Sequence, residues 1–323
     1  MTPQKLHNCQ SFVIATRITK IKNITLTPVR TGFLFALASA ALFAIRPIFV
    51  KLVYAQGVDP TTLIGFRMLF SIPIYIVLLI YFLRDPIRRA KLNFSIIIKI
   101  AITGMFGYYA ASFLDLLGLQ YVTAQLGRMI LYIYPTFVVL LGAAFFAKPL
   151  SWRIGLSLLV TYVGVAVIFG HDLNAFGSDV AIGALFIVSS ALCFACYLLL
   201  GKPLIDKVGS RVFTCIALIS ASLGILLHYG LSRSFTQPEL NSQALWLILV
   251  IAIFCTVIPT FFTTAAVARI GSDKTGIIST LGPAFTSLAA VIALGESFTV
   301  YHFIGIVLTV LGVSLLQQRK KPR

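Results

Sequence analysis

From residue 32 to residue 317 the chain alternates long apolar runs with short polar connections. The runs are about 20 residues long, the length of helix that crosses ~30 Å of hydrocarbon. Their approximate limits are 32–54, 61–83, 97–118, 121–147, 151–170, 179–201, 210–231, 244–268, 273–294 and 298–317. Gly, Pro, Asp or basic clusters mark the connections, as turns require. Pro47, Pro73, Pro135, Pro259 and Pro283 fall inside predicted spans, where membrane helices tolerate kinks. The pattern predicts an all-α integral membrane protein of ten transmembrane helices.

Composition strengthens this reading. Of 323 residues 59% are hydrophobic and 11% charged, and the mean hydropathy is +0.98. Soluble domains carry roughly 25% charged residues, and no long polar stretch remains to form one here. The net charge of +17 could suggest nucleic acid. The basic residues, however, are scattered through short connections and tails, which points to topology instead.

With the N-terminus placed inside, 21 Lys and Arg fall in inside segments and two, Lys51 and Arg233, in outside ones. The inside set includes Arg84, Arg88, Arg89, Lys91 and Lys99 between spans 2 and 3, and Lys148 and Arg153 between spans 4 and 5. This asymmetry obeys the positive-inside rule and requires an even number of spans. Both termini are therefore expected in the cytoplasm, as basic tails over residues 1–31 and 318–323. The acid-free N-terminus lacks the sustained amphipathic face and the cleavage motif of a transit peptide, so it reads as a retained tail. Trp152 and Trp246 read as interfacial anchors.

The sequence also repeats itself. Gly32–Lys51 matches Gly183–Lys202 at eight of twenty positions, an offset of 151. Farther on, an offset of 148 pairs Pro135 with Pro283, Phe137 with Phe285, Thr161 with Thr309 and Gly164-Val165 with Gly312-Val313. Residues 32–170 and 179–317 are thus expected to be two five-helix repeats. An odd number of spans per repeat makes them inverted, and Lys148 faces inside where its counterpart Glu296 faces outside. Inverted repeats are a transporter architecture, with the substrate near the midplane and alternating access by rocking of the halves.

Several stretches carry a family resemblance: Phe66-Arg67, the Tyr-rich span ending in Pro135, the Gly-Pro-Ala-Phe…Leu-Gly-Glu-Ser run over 282–297, and Gly312-Val313. Together they resemble the EamA-type exporters of the drug/metabolite transporter (DMT) superfamily, over nearly all of residues 32–317. The resemblance implies a multi-pass transporter of the bacterial inner membrane that exports small metabolites. The segment ASFLDLLGLQYVTAQLGRMILYIYPTFVV looks like one subgroup, in which a Glu precedes the Arg and another closes the span. This chain has Gly127 and Lys148 in those places.

Tyr108–Pro135 reads as an apolar hairpin turning near Gly118-Leu119-Gln120, with Asp115 on one limb and Arg128 on the other. Charges inside spans are expensive and usually functional. Arg46, Arg67, Asp115 and Arg128 are read as the four intramembrane charges, at about 5–12 Å from the outer helix ends at 1.5 Å per residue, those at span margins being counted with the connections. All belong to the first repeat; Arg46 aligns with Tyr197 of the second. Three Arg against one Asp would make a net-positive outward vestibule that attracts carboxylates or other anions. Arg128, Tyr132 and Pro135 share a helix face, as do Tyr108, Ser112 and Asp115. The candidate substrate-binding residues are therefore Arg46, Arg67, Tyr108, Ser112, Asp115, Arg128, Tyr132 and Tyr197. Two structural readings stand beside this one: Asp115 pairs with Arg128 to join spans 3 and 4, and Arg67 snorkels to headgroups. His228 reads as interfacial.

The functional expectation is a secondary transporter of small organic metabolites such as amino acids or related amphipathic, anionic solutes. GxxxxGK[ST] is absent, so ATP hydrolysis by this chain is not expected. Asp115 is the one carboxylate among these four intramembrane charges and the one candidate proton site. A sugar-phosphate or nucleotide-sugar exchanger is the alternative, and extra Lys near the midplane of the second half would favour it. A receptor or scaffold is a lower alternative. So is a membrane enzyme, for which the four dispersed histidines (His7, His171, His228, His302) offer no constellation. Cys193-x-x-Cys196 has a redox spacing but lies mid-helix at lipid depth, as packing residues do. No catalytic residue, cofactor or metal ligand is assigned. The expected partners are a small-molecule substrate and the lipid bilayer, with a coupling proton and a second copy of the chain (a homodimer) as further candidates and nucleic acid excluded.

Overall fold

The computed structural model describes residues 28–146, 152–233 and 240–317. Lys148 and both predicted tails lie outside them, except residues 28–31 of the N-terminal tail, which form the start of the first helix. Among the described residues the chain is all-helical, with no strand. The first span is two helices, α1 (Pro28–Ala44) and α2 (Arg46–Tyr54). Pro47 has no N–H to donate and its ring crowds the carbonyl four residues back, so the ladder breaks at Ile45. Next come α3 (Pro60–Leu83), the short α4 (Pro86–Ala90) and α5 (Phe94–Gly104). The Asp59 carboxylate caps α3 by accepting from the Thr61 and Thr62 N–H groups, with Pro60 at the first turn. A wide π-helical segment, Met105–Ala110, leads into α6 (Ala111–Gly118).

The second limb of the hairpin begins at α7 (Ala124–Leu131), breaks at Tyr132-Ile133, and resumes as α8 (Tyr134–Phe146). Then follow α9 (Trp152–Phe176), α10 (Asp179–Val208), α11 (Ser210–Arg233) and α12 (Ser242–Ala252). A second π-helical segment, Ile253–Val257, precedes α13 (Ile258–Ser279), which is interrupted at Gly271 (φ 84°). The fold ends with α14 (Gly282–Leu294) and α15 (Val300–Gln317).

Eight of the described helical stretches are long and apolar enough to cross a membrane, the first Val29–Tyr54 and the eighth Ser242–Gly271. Gly282–Leu294 and Val300–Leu315 are apolar but shorter. The predicted ninth span, 273–294, is divided between the end of α13 and α14. The predicted fifth and sixth spans are longer than expected: α9 runs on to Phe176 and α10 to Val208. Large apolar side chains such as Val77, Leu185, Leu227 and Ile292 are exposed on the outside of the bundle, as a lipid-facing surface requires. Trp152 and Trp246 are exposed too.

Contacts recur at the spacing of the sequence repeat. Ser39 Oγ donates to the Pro259 carbonyl at 2.8 Å, and Ser190 Oγ donates to the Ala111 carbonyl at 2.6 Å. Ser39 and Ser190 stand 151 positions apart, Ala111 and Pro259 148 apart. The two π segments begin 148 positions apart as well. Helix α9 crosses α15 through glycines: Gly164 abuts the Gly305 carbonyl and Thr309, while Gly312 abuts the Ser157 carbonyl and Thr161. Such small residues let backbones approach where no hydrophobic effect drives association.

Hydrogen bonds and ring contacts define the two ends of the bundle. At one end, Asn241 Nδ2 donates to Gln56 Oε1 at 3.0 Å, and Glu296 accepts from the Ala124 N–H at 2.7 Å. At the other, Arg88 and Arg211 both stack over Phe82, and Arg269 over Phe35. Arg88, Arg211 and Arg269, from three of the basic connections, thus lie toward this second end.

Candidate functional site

The α1–α2 break places Arg46 at the first position of α2, facing α6. Its guanidinium donates to Asp115 in a side-chain ion pair that is largely buried. Asp115 therefore pairs with Arg46 of the first span, not with Arg128. The reason is local: the predicted limb starts at residue 121, whereas α7 begins three residues later, at Ala124. That leaves Arg128 in its last turn, over the ring of Tyr132 at 5.4 Å.

Arg67, on α3, is 1% exposed and does not reach headgroups. Arg46, Asp115, Tyr75 and Tyr54 all lie within its electrostatic reach. Tyr54 is fixed by its hydroxyl, which donates to the Leu116 carbonyl at 2.7 Å. Three guanidiniums keep buried nitrogens without a hydrogen-bond partner among the described residues: Arg46 Nε, Arg67 Nε and Nη1, and Arg128 Nε. An unfilled buried donor costs about 1–3 kcal/mol, and more when charged.

Several aromatic rings lie near the Arg46–Arg67 group and near Arg128. Tyr75 lies within electrostatic reach of Arg67 and of Tyr108. Tyr197 Oη donates to Tyr108 Oη at 3.3 Å, and the rings meet edge-on. Tyr197 stacks with Phe194, Phe194 meets Tyr134 edge-on, and Tyr134 neighbours Tyr132. Tyr132 in turn donates to the Ser279 carbonyl just before α14. Ser112 is buried one turn before Asp115. Arg46 and Asp115 thus pair with Arg67 in electrostatic reach, and Tyr108, Tyr197, Tyr132 and Arg128 are linked through Phe194 and Tyr134. Tyr54, Tyr75, Tyr134 and Phe194 join them without having been expected. Their sequence signal was weak, because single aromatics in apolar helices look the same whether they face lipid or the interior.

Gly127, where the subgroup pattern has Glu, is packed against Leu119, Val122 and Ile187. A Cβ there would already approach Leu119 to 2.8 Å, so the position has no room for a carboxylate side chain without repacking.

Two expectations are corrected at the Thr123 end of the bundle. Asp115 is not the sole buried carboxylate, because α9 continues past residue 170 and buries Asp172. Nor are the histidines dispersed: His171 and His302 both lie against Asp172. Asp172 Oδ2 also accepts from Thr123 Oγ1 at 2.8 Å. His228 turns inward, its Nδ1 3.1 Å from the Tyr109 hydroxyl and its ring edge-on to Phe113. Glu296, read from sequence only as the counterpart of Lys148, accepts from the backbone N–H groups of Ala124 and Gln125. It places a carboxylate at the positive end of α7.

The model of the EamA-like transporter family matches this chain twice, over residues 30–170 and 181–317. The chain belongs to the EamA-like transporter family. It is an integral membrane protein and a membrane transporter of the DMT superfamily. It is 28% identical over 280 residues to the uncharacterized transporter YcbK of Bacillus subtilis, covering 85% of this chain and 88% of that one. An uncharacterized transporter of Archaeoglobus fulgidus is 25% identical over 290 residues, covering 88% and 96%. A crystal structure superposes with a TM-score of 0.61 at 17% identity, covering 88% of this chain and 95% of the other, a likeness of fold alone. The two matched segments accord with the two-fold recurrence of contacts.

Proposed function

We propose that the protein is a secondary transporter that exports small amphipathic organic anions, such as amino acids and related carboxylates, across the cell (inner) membrane. Ten spans form two inverted five-helix repeats, 32–170 and 179–317, with both termini cytoplasmic, and transport proceeds by alternating access between them. The observation that carries the substrate class is the set of three arginines with unfilled buried donors. Asp115 neutralises one of the three charges, which leaves the group net positive. A carboxylate filling those donors would recover their cost through charge-assisted, bidentate bonds. The tyrosines between Arg67 and Arg128 suit the apolar or aromatic part of the same solute. The repeated contacts, the two family matches and the position of Arg88, Arg211 and Arg269 toward one end support the repeat and topology assignments.

Uptake and efflux of a panel of amino acids and metabolites in proteoliposomes, with and without a pH gradient, tests this reading. Wild type is expected to move anionic members of the panel, and Arg67→Gln and Arg128→Ala to lose at least about 90% of that flux. Undiminished flux in both folded variants would overturn it.

A further inference from the structure

We propose that His171, Asp172 and His302 form a binding site for one divalent transition-metal ion of the zinc class, at the end of the bundle where α9, α15 and the start of α7 meet. Each residue offers one ligand atom, and these atoms all lie within 4.8 Å of one another. Asp172 Oδ1 is 3.1 Å from His171 Nδ1 and 3.5 Å from His302 Nε2. Ligand bonds of about 2.0–2.1 Å in a tetrahedral zinc site set ligand atoms roughly 3.3–3.4 Å apart. The two separations from Asp172 bracket that edge, and the two histidine atoms lie within 4.8 Å of each other. As a hydrogen bond, by contrast, 3.5 Å lies beyond the ordinary N–H···O range of about 2.7–3.2 Å.

The surroundings are those of a supported site. Asp172 and His302 are each 1% exposed, whereas the His171 side chain is 20% exposed and leaves a route for an ion and a fourth ligand. The far oxygen of Asp172 is held by Thr123 Oγ1. His302 Nδ1 lies 2.8 Å from Thr299 Oγ1 and 3.3 Å from the Thr299 backbone N–H. The Thr299 backbone N–H donates to Nδ1; binding a metal through Nε2 would require the proton on Nδ1, which would then donate to Thr299 Oγ1 and give up that backbone bond. Such outer partners orient ligands and fix the imidazole tautomer. Two imidazoles and one carboxylate favour zinc, cobalt or nickel over calcium and magnesium, which prefer all-oxygen sets. A bound ion would join α9 to α15 directly and, through Thr123, to the cap of α7. It would thus fasten one end of the bundle across both family-matched segments.

The test is isothermal titration of Zn2+ into chelator-stripped, tag-free full-length protein in detergent, with Co2+ absorption as a second readout. One equivalent of Zn2+ should bind, Co2+ should give the intense visible bands of a tetrahedral site, and His228→Gln should change neither. His171→Gln, whose side chain is partly exposed, should weaken binding at least about tenfold, as should Thr123→Val. His302→Gln should abolish it. Absence of Zn2+ binding, or binding unchanged in folded His171→Gln, would overturn the assignment and leave a hydrogen-bonded triad.

Discussion

At the scale of single residues, Arg46 and Asp115 show most clearly what the membrane interior demands. Neither charge is tolerable alone, so removing one partner is worse than removing both. Arg46→Met should destabilise the folded protein by about 3–5 kcal/mol. The double variant Arg46→Met/Asp115→Leu should recover most of that loss while remaining inactive in transport. Thermal melting followed by size-exclusion chromatography reads the first effect and proteoliposome flux the second. Recovery of stability together with transport would remove the pair from the substrate path. The residues of this path were legible as charges in apolar runs. Their partners were not, because pairing depends on where helices break. The Pro47 break and the late start of α7 turned Asp115 toward Arg46 and gave Arg128 to Tyr132. Asp172 was missed for a related reason. The apolar run fades at residue 170, but the helix does not, and a neighbouring helix supplies the polar partners that keep it continuous.

At the scale of elements, packing is set by small residues and by caps. A Cβ on Gly312 would lie 2.7 Å from the Thr161 backbone nitrogen, and one on Gly164 2.8 Å from the Gly305 carbonyl. Backbone cannot give way there as a side-chain tip can. Gly312→Leu should therefore prevent recovery of monodisperse protein, whereas Gly155→Ala, which meets open space, should behave as wild type. The same chromatographic profile from both would refute the close α9–α15 crossing. Glu296 acts on α7 through its N-terminal N–H groups, an interaction worth about 0.3–1 kcal/mol and up to ~2 where partly buried. Glu296→Gln should lower the melting temperature by about 2–4 °C, and an unchanged melting temperature would remove Glu296 from the cap. The element order was readable from hydropathy. The π segments at Met105–Ala110 and Ile253–Val257 and the breaks at Ile45, Tyr132-Ile133 and Gly271 were not, since apolar composition is the same on both sides of a kink.

At the scale of the molecule, the repeat visible at offsets of 151 and 148 reappears as paired hydrogen bonds, paired π segments and a shared α9–α15 crossing. The proposed ten spans with cytoplasmic termini imply a definite pattern of labelling for single cysteines in a cysteine-free background. Ser178→Cys and Ser242→Cys should react with an impermeant maleimide on intact cells. Arg89→Cys and Lys207→Cys should react only after permeabilisation. Labelling of Lys207→Cys on intact cells would contradict the topology.

The central claim is that unfilled arginine donors beside aromatic rings recognise an anionic group. Counterflow in proteoliposomes with a transported amino acid, competed by a carboxylate and by its methyl ester, tests it most directly. The carboxylate is expected to compete at least about tenfold better than the ester in wild type, the equivalent of ~1.4 kcal/mol, and the preference should vanish in Arg67→Gln. Equal competition by acid and ester in wild type would contradict the account.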